Sequence, residues 1–328
     1  MTVPVRALRP RDQAKIVFAH VAYQFDAAYR RRQAGIRHVI ATSVDELKAE
    51  AQDADVVVVS GLWRNEILDA APRLGFVQSI SAGTDQYDKE RFRAAGVRLA
   101  SAQGVNAQAV AEHAMAMLLA VTRQIHAARD AQARRYWRPM IGDPTRREEV
   151  IAGKTALIVG LGGIGQRVAR FAKAFGMTVL ATRRDTSRGA EGVDELHPQS
   201  ALPELMGRAD AVILTCPLTP ETENLINAAA FARMKPSAYL VNVARGKVVD
   251  EAALVDALTA KRIAGAAIDV TQIEPLPETS PLWAMPNVLV TPHSGGETRA
   301  YEEDIVDLLL ENIGRLERGE TTLRNQIV

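Results

Sequence analysis

The chain has little cysteine, few aromatics and almost no net charge. One cysteine, Cys216, in 328 residues excludes an intrachain disulfide and fits a reducing compartment. Forty basic against 39 acidic side chains leave a net charge of +1, so no global field exists to hold nucleic acid or an anionic membrane; a local basic patch is still compatible with this balance. No segment approaches the roughly 18 uninterrupted apolar residues of a membrane-spanning helix. The N-terminal stretch MTVPVRALRPRDQAK carries charges where a secretory signal needs its apolar run. A cytoplasmic protein with neither a membrane nor a nucleic-acid partner is expected. No internal repeat, no low-complexity tract and no metal-site spacing of His, Cys, Asp and Glu is found. With 47% hydrophobic and 24% charged residues, the composition is that of a soluble globular protein, and at about 150 residues per domain the length implies two domains.

Short apolar runs alternate with helical patterns from the start: KIVFAH, RHVIAT, DVVVVSG, FVQSISAG and VRLASA mark five strands by residue 103. Strands flanked by helices imply a mainly parallel sheet covered on both faces. From Asn106 to Ile125 the sequence predicts one helix, apolar nearly all round and therefore buried between domains or in a subunit interface. An Arg- and Pro-rich connector, RRYWRPMIGDPTRREEV, follows. Six further strands, TALIVG, MTVLAT, AVILTC, AYLVNV, AGAAIDV and NVLVTP, have the size of a complete dinucleotide-binding domain. The last segment, Glu297 to Arg318, places Ile305, Leu308, Leu309, Ile313 and Leu316 on one face and is expected to pack back on the first domain.

Gly160-Leu161-Gly162-Gly163-Ile164-Gly165 follows an apolar strand and opens a helix. In that context Gly160 permits a tight turn, Gly162 lets backbone approach a pyrophosphate, Gly165 lets the helix pack on its strand, and the helix N-terminus supplies amides and a positive dipole. The bland alternative is a glycine-rich turn without ligand. The ribose of such a cofactor is usually held by an acidic residue about 20 positions on, at the tip of the second strand. Here that strand ends in Arg183-Arg184, with Asp185 one position later. Paired guanidiniums suit a 2'-phosphate and favour NADP, with NAD left possible through Asp185. Two solvated arginines remain the plain alternative.

Ligands of open α/β sheets bind beyond the carboxyl ends of the strands. Arg245, Glu274 and His293 stand at three such ends. Hydride transfer to a 2-oxo acid needs a cation for the carboxylate and carbonyl and an acid for the new alkoxide; Arg, His and a carboxylate that holds the imidazole supply that set. Singly, each has an ordinary structural role open to it. His113, inside an apolar helix, reads as structural, and His20, His38, His126 and His197 lack a partnered motif. In the first domain, Ser81-Ala82-Gly83-Thr84 follows a strand and could face an anion with its amides, or be an ordinary turn. Trp63, after DVVVVSGL, is either a substrate-lining side chain or a core aromatic.

The chain resembles the D-isomer-specific 2-hydroxyacid dehydrogenases over nearly its whole length, through SISAGTDQYD, NAQAVAEH, GLGGIG, TCPLTPET, NVARGKVVDE, AAIDVTQIEPLP and TPHSGG. The resemblance implies two doubly wound parallel-sheet domains: a Rossmann coenzyme domain, residues 104–293, inserted into a flavodoxin-like substrate domain made of 1–103 and 294–328. It matches Arg245, Glu274 and His293 to the catalytic residues, and Ala82 and Gly83 to the turn that holds the substrate carboxylate. It matches Gly163, Ile164, Cys216, Val243, Ala244 and Asp269 to cofactor contacts, a set joined by Gly160, Gly162, Gly165, Arg183, Arg184, Arg245, His293 and Gly295. Trp63, Arg245 and His293 complete the expected substrate contacts, and a homodimer is implied. Two positions depart from the family pattern: Arg183 where most relatives have Asp, and Gly163 where many have Arg. The first points toward the NADP-using glyoxylate and hydroxypyruvate reductases.

The expected reaction is therefore hydride transfer between NADPH and the C2 carbonyl of a small 2-oxo acid, giving the D-2-hydroxy acid. Two other readings stay open. One is a formate or phosphite dehydrogenase on the same fold, the former less similar because it pairs its histidine with Gln. The other is a nucleotide-sensing binding protein similar to the carboxy-terminal-binding corepressors.

Overall fold

The computed structural model describes residues 6–190 and 192–328; residues 1–5 of the N-terminal stretch discussed above lie outside them. The chain divides into two compact units, one made of the residues up to Asn106 with Thr298–Val328 and the other of Ala107–Glu297. The second junction falls after 297 rather than 293. The physical reason is local: the amides of Ser294 and Gly295 are bonded to the Asp269 carboxylate at 3.0 Å each, which binds this turn to the second unit.

In the first unit, β1 (Lys15–Ala19), β2 (Arg37–Ala41), β3 (Val56–Val59), β4 (Phe76–Ser79) and β5 (Arg98–Ala100) form a wholly parallel sheet in the order β2-β1-β3-β4-β5, the flavodoxin-like arrangement. Because side chains alternate along a strand, each strand feeds two cores. Ile16, Phe18, Val56, Val58 and Phe76 face one side. Val17, Ala19, Val57, Val59 and Val77 face the other, with Leu47, Ile67 and Phe92.

The helix Tyr301–Glu317 covers the first of these faces with Tyr301, Ile305, Val306, Leu308, Leu309 and Ile313, as its apolar stripe predicts. It begins at Tyr301 and not Glu297, because the preceding residues turn, with the Glu297 amide donating to Ser294 O at 3.0 Å. A polar key fixes its register. Asn312 and Gln78 are fully buried, and Asn312 Nδ2 donates to Gln78 Oε1 at 3.0 Å while Asn312 Oδ1 accepts the Arg324 amide at 2.8 Å.

In the second unit, β6 (Thr155–Val159), β7 (Thr178–Arg183), β8 (Glu195–Pro198), β9 (Ala211–Leu214), β10 (Tyr239–Asn242), β11 (Gly265–Ile268) and β12 (Val288–Val290) form a parallel sheet ordered β12-β11-β10-β9-β6-β7-β8. Order reverses at β6, the switch point at which doubly wound sheets bind nucleotides. Seven strands are present where six are predicted. The additional β8, Glu-Leu-His-Pro, is a half-exposed edge strand, so it lacks the apolar run that marks a buried one.

The entry helix is shorter than predicted. It spans Ala107–Thr122, and Gln124, with φ 52°, interrupts it before a separate helix Ile125–Ala133 that buries no residue. Thr122 Oγ1 bonds back to Leu118 O at 2.8 Å, the buried stripe ends there, and Ile125 is 56% exposed. No helix among the described residues is long and apolar enough to cross a membrane.

Replacing Asn312 with Ala strips a partner from Gln78 Oε1 inside the core and from the amide of Arg324 nearer the surface. A buried unsatisfied group costs about 1–3 kcal/mol, so Asn312→Ala is expected to lower the urea midpoint with an unchanged slope. An unchanged midpoint would show that the pair does not anchor the helix.

Candidate active site

The turn after β6 is built by contacts that only glycine allows. Gly160 has φ 101°, and a Cβ there would lie 2.7 Å from the Cys216 backbone; a Cβ on Gly165 would lie 2.3 Å from Gly160 O. Thr215 Oγ1 donates to Gly160 O at 2.7 Å, and the amides of Gly160 and Leu161 donate to Thr182 O at 3.1 and 3.0 Å. The turn is thus pinned to its neighbouring strands on both sides. Gly162 caps the helix Gly163–Ala174, and a Cβ on it would meet no atom within 4 Å. The first helical amides, those of Gly163 and Ile164, have no intrahelical acceptor. Open space, unspent amides and a positive helix end fit a pyrophosphate. Cys216 is 5% exposed, and burial pushes its thiol up to about 11, so it serves as packing and not as a nucleophile.

At the tip of β7, Arg183 is the last strand residue and half-buried, while Arg184 is exposed. Asp185 is engaged locally: its carboxylate accepts from Ser187 N at 3.1 Å and Ser187 Oγ at 2.6 Å, capping the short turn Thr186–Arg188.

The loops after β10, β11 and β12 carry the three side chains singled out from sequence. Asn242, 1% exposed, braces the first loop by accepting the Ala244 amide at 3.0 Å and donating to Arg245 O at 3.2 Å. The next residue, Gly246, sits so close to the second loop that a Cβ would fall 1.9 Å from Thr271 O. Val243 and Ala244, earlier in the same loop, are buried. Gln272 ties the loops again, its amide donating to Glu251 Oε2 at 3.0 Å and its side chain to Val249 O at 2.8 Å. Glu274 therefore emerges beside Arg245, and its Oε1 accepts the Thr271 amide at 3.1 Å.

His293 has a left-handed backbone, φ 55°. Its amide donates to Asp269 O at 2.8 Å, and the Asp269 carboxylate holds the next two amides and accepts from Thr291 Oγ1 at 2.5 Å. In that posture His293 Nδ1 lies 2.8 Å from Glu274 Oε2, which assigns the Nδ1 proton to the carboxylate and leaves Nε2 as the outward proton carrier. Gly295 has room for nothing larger, since a Cβ would lie 2.9 Å from Asp269 Oδ2.

The charges act together. The Glu274 hydrogen bond, opposed by burial and by Arg245 and aided by the Glu274 and Asp269 charges, holds the His293 imidazolium above its ordinary range. Burial pushes the Glu274 carboxyl up, but His293, the Thr271 amide and Arg245 outweigh it and hold it below the usual carboxylate range. Burial likewise opposes ionisation of Asp269, and His113, Thr291 and the two amides overcome it. The result is a cation, an ionised carboxylate and a proton-bearing imidazole at one edge of one sheet. That set can bind a small anion and move one proton. Among the described residues no group of three His, Cys, Asp or Glu is placed to hold a metal ion.

Within the first unit, Ser81 is fixed by Ser60 Oγ at 2.5 Å and by Ser79 Oγ, which accepts its amide at 3.1 Å. Among the described residues the amides of Ala82 and Gly83 donate no hydrogen bond, so they are available to an anion. Trp63 does not take the substrate-lining role expected for it. It is 3% exposed, packs on Tyr87 and Phe92 with ring centroids 5.6 and 5.3 Å away, and spends its N–H on Asn65 at 2.9 Å; of the two roles its sequence position allowed, the core one fits.

Asn242, Gly246 and Thr291 were not singled out from sequence. The available signal was a polar residue closing an apolar strand, as in AYLVN and NVLVT. The pairing of His113 with Thr291 and Asp269 joins residues 178 and 156 positions apart and left none.

Fold and site define a two-domain α/β protein with a dinucleotide-binding second domain. The family model for the D-isomer specific 2-hydroxyacid dehydrogenase NAD binding domain matches residues 115–295. A D-3-phosphoglycerate dehydrogenase of Mycobacterium tuberculosis is 40% identical over 277 residues, 83% of this chain and 51% of that one, so the chain spans about half the length of that relative. A glyoxylate reductase of Thermococcus kodakarensis is 37% identical over 293 residues, covering 86% and 85%. The solved structure of an NADPH-dependent glyoxylate/hydroxypyruvate reductase from Sinorhizobium meliloti, in complex with NADP and malonate, superposes with a TM-score of 0.81 at 27% identity over 96% and 97%. The chain belongs to the D-isomer specific 2-hydroxyacid dehydrogenase family.

The Glu274 contact raises the His293 pKa, so the imidazole stays protonated below that value and loses its proton as pH rises through it. Glu274→Gln removes the charged partner and is expected to move the His293 titration, followed by NMR of the ring, to lower pH. An unmoved midpoint would mean the two groups are not coupled in solution.

Proposed function

We propose that the protein is an NADPH-dependent reductase of a small 2-oxo acid of the glyoxylate or hydroxypyruvate kind, giving the D-2-hydroxy acid. The observation that carries the reading is the 2.8 Å contact of His293 Nδ1 with Glu274 beside Arg245. Arg245 binds the carboxylate and the carbonyl oxygen, concentrating positive charge where negative charge grows. His293 delivers its Nε2 proton to that oxygen, and Glu274 keeps the imidazole oriented and charged until it does. When bound at Gly160–Gly165, NADPH supplies the hydride. Ala82 and Gly83 offer amides to the substrate carboxylate. Gly163, Ile164, Cys216, Val243, Ala244, Asp269 and Gly295 stand as cofactor contacts, the family's similar positions supporting that assignment.

The choice of NADPH rests on Arg183 at the β7 tip, with Arg184 beside it, and on Asp185 being occupied by its own turn. The NADP-bound Sinorhizobium reductase supports the same reading. Relatives with the same fold act on different substrates, so the substrate is decided by assay.

Oxidation of NADPH and of NADH is to be followed with glyoxylate, hydroxypyruvate and other 2-oxo acids, and reduction of the oxidised cofactors with 3-phosphoglycerate in the reverse direction. NADPH is expected to be preferred by about 10² or more, the scale of two charge-assisted hydrogen bonds, weakening as salt rises. Arg183→Asp is expected to reverse the order. A higher kcat/KM with NADH in the unmodified protein would transfer the ribose role to Asp185. His293→Ala is expected to lower kcat by about 10² or more with cofactor affinity nearly unchanged; near-normal turnover would remove His293 from the mechanism.

A further inference from the structure

The helix Ala107–Thr122 carries one imidazole to the loops that hold the site. His113 Nε2 lies 2.9 Å from Thr291 Oγ1 and 3.4 Å from Asp269 Oδ1. The Thr291 hydroxyl proton is committed to Asp269 at 2.5 Å, so the Thr291 oxygen can only accept from His113. Both oxygens facing Nε2 therefore require a proton on it. Asp269 in turn holds the Ser294 and Gly295 amides with its carboxylate and the His293 amide with its carbonyl. The ring also bounds the turn directly, since a Cβ on Gly295 would lie 3.1 Å from His113 Cδ2.

The geometry points to His113 as a positioning residue for His293. Its Nε2–H locks Thr291 onto Asp269, and Asp269 wraps the 293–295 backbone into the left-handed turn that aims the His293 ring at Glu274. The inference rests on the proposed role of His293 as proton donor. His113 itself touches no reacting atom. It acts through three hydrogen bonds, and a backbone turn that strays by an ångström takes a reacting group out of line. The charged groups facing His293 are Glu274, Arg245 and Asp269; His113 controls the third by fixing where that carboxylate sits.

The test compares His113→Phe, His113→Gln and Thr291→Val, alone and with His113→Phe added to Thr291→Val, by steady-state assay and by NMR titration of the His293 ring. His113→Phe fills the space without donating and is expected to lower kcat about tenfold or more, with the 2-oxo acid KM little changed because the Arg245 loop is untouched. The His293 titration is expected to move to lower pH as Asp269 loses its fixed place. His113→Gln, whose amide can donate to Thr291, is expected to recover most of the lost kcat. Adding His113→Phe to Thr291→Val is expected to cost clearly less than the sum of the two single losses, since both loosen Asp269 and only the direct 3.4 Å contact of His113 with Asp269 is left to lose. Unchanged kcat and titration in His113→Phe, fully additive losses, or no recovery with Gln would each overturn the inference. If His113→Phe does not fold, Thr291→Val against His113→Gln decides it by the same readouts. An unmodified protein that turns over no 2-oxo acid would overturn the proposed function instead, and the ring titration would still judge His113.

Discussion

Backbone contact without side chains at the carboxyl edge of the seven-stranded sheet is the constraint on which the site depends. Gly160 lies against the Cys216 backbone, and Gly246 lies against Thr271 O, each where a Cβ would overlap its neighbour. Adjacent strands of a sheet stand about 4.8 Å apart, and loops leaving them can converge only if something small lies between them. Gly246 lets the loop after β10 lean on the loop after β11, so Arg245 and Glu274 share one electrostatic neighbourhood. β12 neighbours β11, and its loop brings His293 to the same place. Three residues far apart in sequence become one charged cluster because their strands are consecutive in the sheet.

Two carboxylates with different surroundings then divide the work. Asp269 is buried and almost wholly engaged by Thr291, His113 and two amides. It spends its charge on backbone and makes a rigid turn. Glu274 is half-exposed and directs one oxygen to the Thr271 amide and the other to His293. Removing a buried charge's partner costs more than removing one at the surface, so Asp269 belongs to the architecture and Glu274 to the tuning of the imidazole.

Membership of the family leaves the ribose end to individual residues. The turn Gly160–Gly165 is built for a pyrophosphate whichever dinucleotide is bound, because its contacts are backbone and close packing. The tip of β7 is different. It carries Arg183 and Arg184, and Asp185 is bonded to its own turn. Side chains at a strand tip can differ without disturbing the sheet beneath, so discrimination between cofactors can change while the fold does not.

Much of the fold was legible in the amino-acid order. The buried parallel strands are continuous apolar runs, the amphipathic stripe of Tyr301–Glu317 finds its own sheet face, and the glycine spacing at 160–165 reports a backbone that must approach its neighbours. Arg245, Glu274 and His293 stood out in the sequence because each lies in a loop that leaves the carboxyl end of a strand. Local order failed where local signals are weak: β8 is a half-exposed edge with no apolar run, and the entry helix stops at Thr122 although helix-forming residues continue beyond it. Only the tertiary structure decided which polar groups meet. The His293–Glu274 pair, the wrapping of residues 293–295 on Asp269, the link from His113 through Thr291, and the burial of Trp63 all join residues across loops. A strand pattern states which face a side chain takes; the partner on that face depends on strand order and loop packing, which no local stretch of sequence contains.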